Sequence, residues 1–193
     1  YDHGAHLDYE IEWWYFTGHL FDEQKNPFGF ELTFFRFGNE PKKSKNPFAF
    51  KHFYVTHFTL TDEKRKTFQQ FEWAHRELPG VAEAREGGLD VATGPFQVKQ
   101  QKDGFVIKSK KNDIELNLYL KNSKKIVLHG ENGYHKKTTE GAASYYYAMT
   151  RLKGTGSLKV GESNHNITKA EAWMDHEIFT PIENGERYGW DWF

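Results

Sequence analysis

The chain has 193 residues, 26 Lys and Arg against 27 Asp and Glu, a net charge of −1, no cysteine, and an aromatic content of 17%. Balanced charge leaves no global field to recruit nucleic acid or an anionic membrane, and without cysteine there is no disulfide framework, thiol nucleophile or thiolate metal site. No apolar run approaches the ~20 residues of a membrane-spanning helix, so neither a nucleic-acid partner nor a transmembrane segment is expected.

Residues 1–9 read as a polar loop. His3 and His6 with Asp2 or Asp8 have the chemistry of a metal ligand set, but His-x-x-His on a loop is a weak signature and no metal is assigned. Residues 10–21 form the first strand, with Glu12, Trp14, Phe16 and Gly18 on one face and Trp13, Tyr15, Thr17 and His19 on the other. Residues 28–37 follow, placing Phe28, Phe30, Leu32, Phe34 and Arg36 together, and residues 52–61 place Phe53, Val55, His57 and Thr59 together. In residues 68–78, Phe68, Phe71 and His75 recur at three and four, which allows a short helical turn before Pro79-Gly80. Short strands are predicted at 89–93, 96–101, 105–110, 114–120 and 126–128, with turns at Asp103-Gly104 and Lys111-Asn112-Asp113. A polar loop with His129 and His135 precedes a strand over 142–152 that sets Tyr145, Tyr147, Met149 and Arg151 on one side; strands over 156–161 and 167–177 complete the series.

Roughly ten to twelve short strands with at most one helix predict an all-β barrel or sandwich. Several strands are aromatic on both faces, Phe30 and Phe34 against Phe35 and Phe37 for example. Either another domain covers the outside, or the interior holds both a core and a ligand cavity. The run Trp190-Asp191-Trp192-Phe193 has no polar tail and reads as an unfinished end.

The chemistry concentrates in residues 170–179. As a strand, Trp173, Asp175 and Glu177 share one face while Met174, His176 and Ile178 share the other. A carboxylic acid beside an indole can protonate an unactivated C=C and steady the resulting cation against aromatic faces, because burial against rings raises a carboxyl pKa. Trp14 or Tyr147 would stand opposite, with support from Arg151 and His176. The competing reading is an ion-paired strand edge, Asp175–Glu177 pinned by Arg151 or Arg36. Ser144 lacks the G-x-S-x-G context of a hydrolase nucleophile, and metal-dependent hydrolysis by His3, His6 and His176 stays open.

Several blocks are similar to the AttH-like and carotenoid 1,2-hydratase family: Asp2-His3-Gly4-Ala5-His6, Glu12-Trp13-Trp14-Tyr15-Phe16-Thr17-Gly18, Leu32-Thr33-Phe34-Phe35-Arg36, Ser144-Tyr145-Tyr146-Tyr147, Ala172-Trp173-Met174-Asp175-His176-Glu177 and Gly189-Trp190-Asp191-Trp192-Phe193. The resemblance implies a lipocalin-like (calycin-type) antiparallel β-barrel over residues 1–193, the N-terminal one of a tandem pair, with a second lipocalin-like domain in cis. It also implies an apolar small molecule, a lipid, isoprenoid or polyene, as partner, a hydratase-type reaction, and a periplasmic or secreted location. A non-catalytic carrier and a secreted hydrolase are the alternatives. The expected catalytic residues are Asp175, His176 and Glu177. The expected ligand-binding residues are Trp13, Trp14, Tyr15, Arg36, His57, Tyr145, Tyr147, Arg151 and Trp173. No cofactor is expected. Asp175 as the acid follows from its local chemistry, not from the resemblance.

Overall fold

The structure, a computed structural model, describes residues 2–38, 50–137 and 141–180. The 190–193 run therefore lies outside the described residues. Thirteen strands form one antiparallel sheet: β1 Ile11–Asp22, β2 Pro27–Gly38, β3 His52–Asp62, β4 Thr67–Arg76, β5 Ala82–Ala84, β6 Asp90–Thr93, β7 Phe96–Gln101, β8 Gly104–Lys111, β9 Ile114–Asn122, β10 Val127–Leu128, β11 Tyr134–Lys136, β12 Ala143–Val160 and β13 Ser163–Phe179. No helix occurs among the described residues. The order is β4-β3-β2-β1-β13-β12-β9-β8-β7-β6-β5, with β10 and β11 also paired to β12.

The path curls into a nearly closed barrel. Its ends meet through side chains: the Thr56 and Thr93 hydroxyls are in contact, and the rings of Phe58 and Phe96 lie 5.7 Å apart. Away from a polar grouping at one end, the inward residues of the long strands are mostly apolar, and the barrel is filled by a core that includes Trp14, Phe16, Leu32, Phe34, Phe58, Phe96, Leu116, Leu118 and Met174. Alternation sets this pattern, since a pleated strand sends successive side chains to opposite faces.

Three sequence expectations change. The stretch with helical spacing is strand β4, because its antiparallel pairing to β3 along Phe53↔Arg76 to Asp62↔Thr67 overrides the local spacing. The strands expected at 142–152 and 156–161 are one strand, β12, which passes Gly154 and Gly156 beside β9. A Cβ on Gly154 would stand 1.9 Å from the Tyr119 carbonyl oxygen, so only glycine permits this approach. Finally, a register shift in β12 between Met149 and Leu152 reverses the alternation. Leu152 points into the core and Arg151 points out and is exposed, so Arg151 does not share a face with Tyr147.

Candidate functional site

Two polar groupings stand on opposite sides of the sheet where β2, β1, β13 and β12 run side by side. The inner one lies at one end of the barrel. The Glu12 carboxylate, fully buried, accepts hydrogen bonds from the His6 backbone N–H at 3.0 Å, from Arg36 Nε at 2.9 Å, and from the rings of His6 at 2.9 Å and His176 at 2.8 Å. The Tyr147 hydroxyl links His176 Nδ1, 3.0 Å away, to His3 Nδ1, 2.6 Å away. Trp14 stacks on His176 and donates its indole N–H to the His3 carbonyl. Arg36 donates to the carbonyls of His6 and Tyr9. Burial alone would raise the Glu12 pKa, but the bonds from His176 and His6 outweigh it and hold it at about 2. Burial, together with the nearby His176, lowers His3 to about 4, and burial lowers His176.

His6, Glu12 and His176 offer ligand atoms within 4.8 Å of one another, so these are the described residues with donors for a metal ion; His3, considered for that role from sequence, bonds Tyr147 instead. The Glu12 oxygens are already saturated, and the Arg36 cation opposes a second positive charge there. The arrangement serves to fasten the N-terminal segment across the barrel end.

The outer grouping is a grid fixed by strand register. Across β2, β1 and β13 run Glu31–Thr17–Trp173, then Thr33–Tyr15–Asp175, then Phe35–Trp13–Glu177. From β12, Tyr146 stands opposite Glu177. Asp175 is only 2% exposed although it faces outward. Burial raises its pKa to about 6, and the hydrogen bonds it receives from Trp173 and Tyr146 hold the rise back. Burial likewise raises Glu31 to about 7, against a bond from the Thr33 hydroxyl. Tyr15 lies close enough to both carboxyls that each raises its pKa further. Lys137 Nζ sits 2.5 Å from Glu177. Beside this grid lies a groove of about 470 Å³ walled by Thr17, Glu31, Thr59, Arg151, Glu171 and Trp173, among others.

The sheet thus divides the residues picked from sequence. Trp14, Arg36, Tyr147 and His176 are inside, with Tyr145 at the rim against Tyr9. Trp13, Tyr15, His57, Trp173, Asp175 and Glu177 are outside, as strand parity predicts, and Arg151 joins them through the register shift. His57 packs edge-on to Phe35 and pairs with Glu72 at 3.4 Å. Asp175 is therefore next to Trp173, as expected, but its tyrosine is Tyr146 and not Tyr147, which lies through the sheet. Tyr146 and Glu31 were missed. Parity of the Ser144–Tyr147 run marks Tyr146 as outward; Glu31 carries no local signal and emerges only from the β1–β2 register.

A filled antiparallel barrel with its polar chemistry at one end and on one outer face is a lipocalin-like barrel. The chain belongs to the AttH-like family, whose model matches residues 1–193. The crystal structure of an AttH protein from Nitrosomonas europaea is similar, with TM-score 0.82 and 28% identity over 94% of this chain and 55% of that one. Kievitone hydratase from Nectria haematococca shares the fold, with TM-score 0.64 and 14% identity over 86% of this chain and 47% of that one. The chain thus spans about half the length of these two structures. No curated protein matches it.

Proposed function

We propose that the outer face around Asp175 is an acid site of the hydratase (hydro-lyase) type acting on an apolar small molecule with a C=C bond. The observation that carries this reading is a buried carboxyl, set among Tyr15, Tyr146 and Trp173, with its pKa raised to about 6. Such a group keeps a transferable proton near neutral pH, and the rings around it are suited to a transient cation. The groove beside Trp173 supplies a seat for the substrate. Similarity to a protein named as a hydratase supports the reaction class.

A second lipocalin-like domain in cis would cover this face and shield it from bulk solvent. Support comes from the outward rings of Phe35 and Phe37, the latter exposed, and from the larger size of the two similar structures. Glu177, two positions along the same face, raises the Asp175 pKa further, whereas the His176 ring lies on the inner face, bonded to Glu12 and Tyr147.

The test is incorporation of ¹⁸O from labelled water into acyclic isoprenoid alkenes by purified protein. Loss of general acid catalysis typically costs 10²–10⁴-fold, so Asp175→Asn should lower the rate by that factor while alkene binding persists. Alkene binding with no turnover by the wild type would identify a carrier and overturn the enzymatic reading.

A further inference from the structure

We propose that Glu31 is a second catalytic carboxyl of this site, facing the cationic intermediate from the groove side and taking the proton of the water that adds to it. This inference rests on the hydratase reading and deepens it by assigning the base.

The two carboxyls belong to one site. They flank β1, Asp175 from β13 and Glu31 from β2, with Tyr15 near both. Trp173, which donates to Asp175, lines the groove that Glu31 also lines. Their surroundings differ in the way the two proton transfers require. Asp175 is set among rings, where protonated carbon is stabilised. Glu31 is set among hydroxyls: Thr33 bonds it, Thr17 and Thr59 flank it in register, and Thr61 extends the wall. A water molecule needs several polar partners to be held, and this hydroxyl-rich wall supplies them.

The step balances with water as its sole co-reactant. The Asp175 carboxyl gives its proton to one alkene carbon, so a C–H bond forms as the π bond breaks. The water oxygen forms a C–O bond to the other carbon, and the Glu31 carboxylate takes the proton that water sheds. Solvent returns that proton to Asp175 between turnovers. Burial brings both carboxyls into the range where such exchange is feasible near neutrality.

A tertiary ammonium stands in for the carbocation. Binding of N,N-dimethylgeranylammonium and of its uncharged carbon isostere would be measured by calorimetry at pH 8 for wild type, Glu31→Gln, Glu31→Asp and Asp175→Asn. The wild type should prefer the cation at least tenfold. Glu31→Gln and Asp175→Asn should each erase most of that preference without weakening the uncharged ligand, and Glu31→Asp should restore part of it. A preference lost in Asp175→Asn but intact in Glu31→Gln overturns the role of Glu31 and leaves the Asp175 reading standing. Equal weakening of both ligands by Glu31→Gln, unrelieved in Glu31→Asp, reduces Glu31 to a wall residue and also overturns it. No preference in the wild type sinks the hydratase reading itself.

Discussion

Replacing Glu12 with glutamine should be among the most damaging single changes to this fold. Glu12 accepts four hydrogen bonds, two of them from side chains, Arg36 and His176, that are themselves fully buried. A glutamine amide presents one oxygen and one NH₂, so in either orientation some of these donors meet another donor. The magnitude follows by two routes. A carboxyl held at about 2 rather than at 4.5 contributes about 3 kcal/mol at neutral pH, at ~1.4 kcal/mol per pKa unit. Breaking a buried ion pair by removing one partner costs ~3–5 kcal/mol. Because the folded-state pKa is depressed, this contribution is complete above the unfolded value of 4.5 and disappears as pH falls through about 2. Urea unfolding monitored by tryptophan fluorescence at pH 7 should show a loss of about 3 kcal/mol for Glu12→Gln. In an Arg36→Met background the same change should cost substantially less, since the stranded guanidinium is gone. A loss below ~1 kcal/mol, or an undiminished loss beside Arg36→Met, would refute the account of the barrel end.

The remaining predictions concern the site, the core and acid lability. With Asp175 protonated below about 6 and Glu31 ionised above about 7, kcat/KM should fall on both sides of a maximum near the middle of that interval; a rate still climbing at pH 9 would contradict both assignments. Gly154→Ala should lower Tm, because its Cβ meets backbone and overpacking of this kind costs ~1–3 kcal/mol; differential scanning calorimetry reads the change. Phe58→Ala empties a fully buried position against Phe96 and should cost ~3–5 kcal/mol in a urea titration. His3, held neutral with its pKa at about 4, must take up a proton on unfolding below 6.5. Stability should therefore decline as pH drops from 6.5 towards 4, and less steeply in His3→Gln.

Strand parity made much of this architecture legible. The two faces of residues 10–21 and 28–37 are read correctly because β1 pairs with β2 without a register shift, and Trp173, Asp175 and His176 are read correctly because β13 meets β1 without one until Phe21. Where the alternation breaks, reading fails. The shift that turns Arg151 outward depends on how β12 meets β13, which no property of the Tyr145–Leu152 run announces. Glu12 illustrates a second limit: a lone acid at a strand start resembles a solvated end, and its four donors come from three separate segments. Glu31 illustrates a third, for its neighbours belong to β1 and β3.

The way the barrel closes has a consequence for where it breathes. Strand β4 is hydrogen-bonded along its length to β3 alone, and the isolated bridge Leu78↔Ala82 lies past its end, in the turn that leads to β5. Amide protons on that rim should exchange with solvent deuterium early, whereas those of β1 and β13, laddered on both sides, should persist until the sheet opens as a whole. Both carboxyls of the proposed site ride on the well-laddered arc. Opening along the seam therefore leaves the β2–β1–β13 ladder, and with it the spacing between Glu31, Tyr15 and Asp175, undisturbed, so fast exchange at β4 and undiminished ligand affinity should coexist in the same sample.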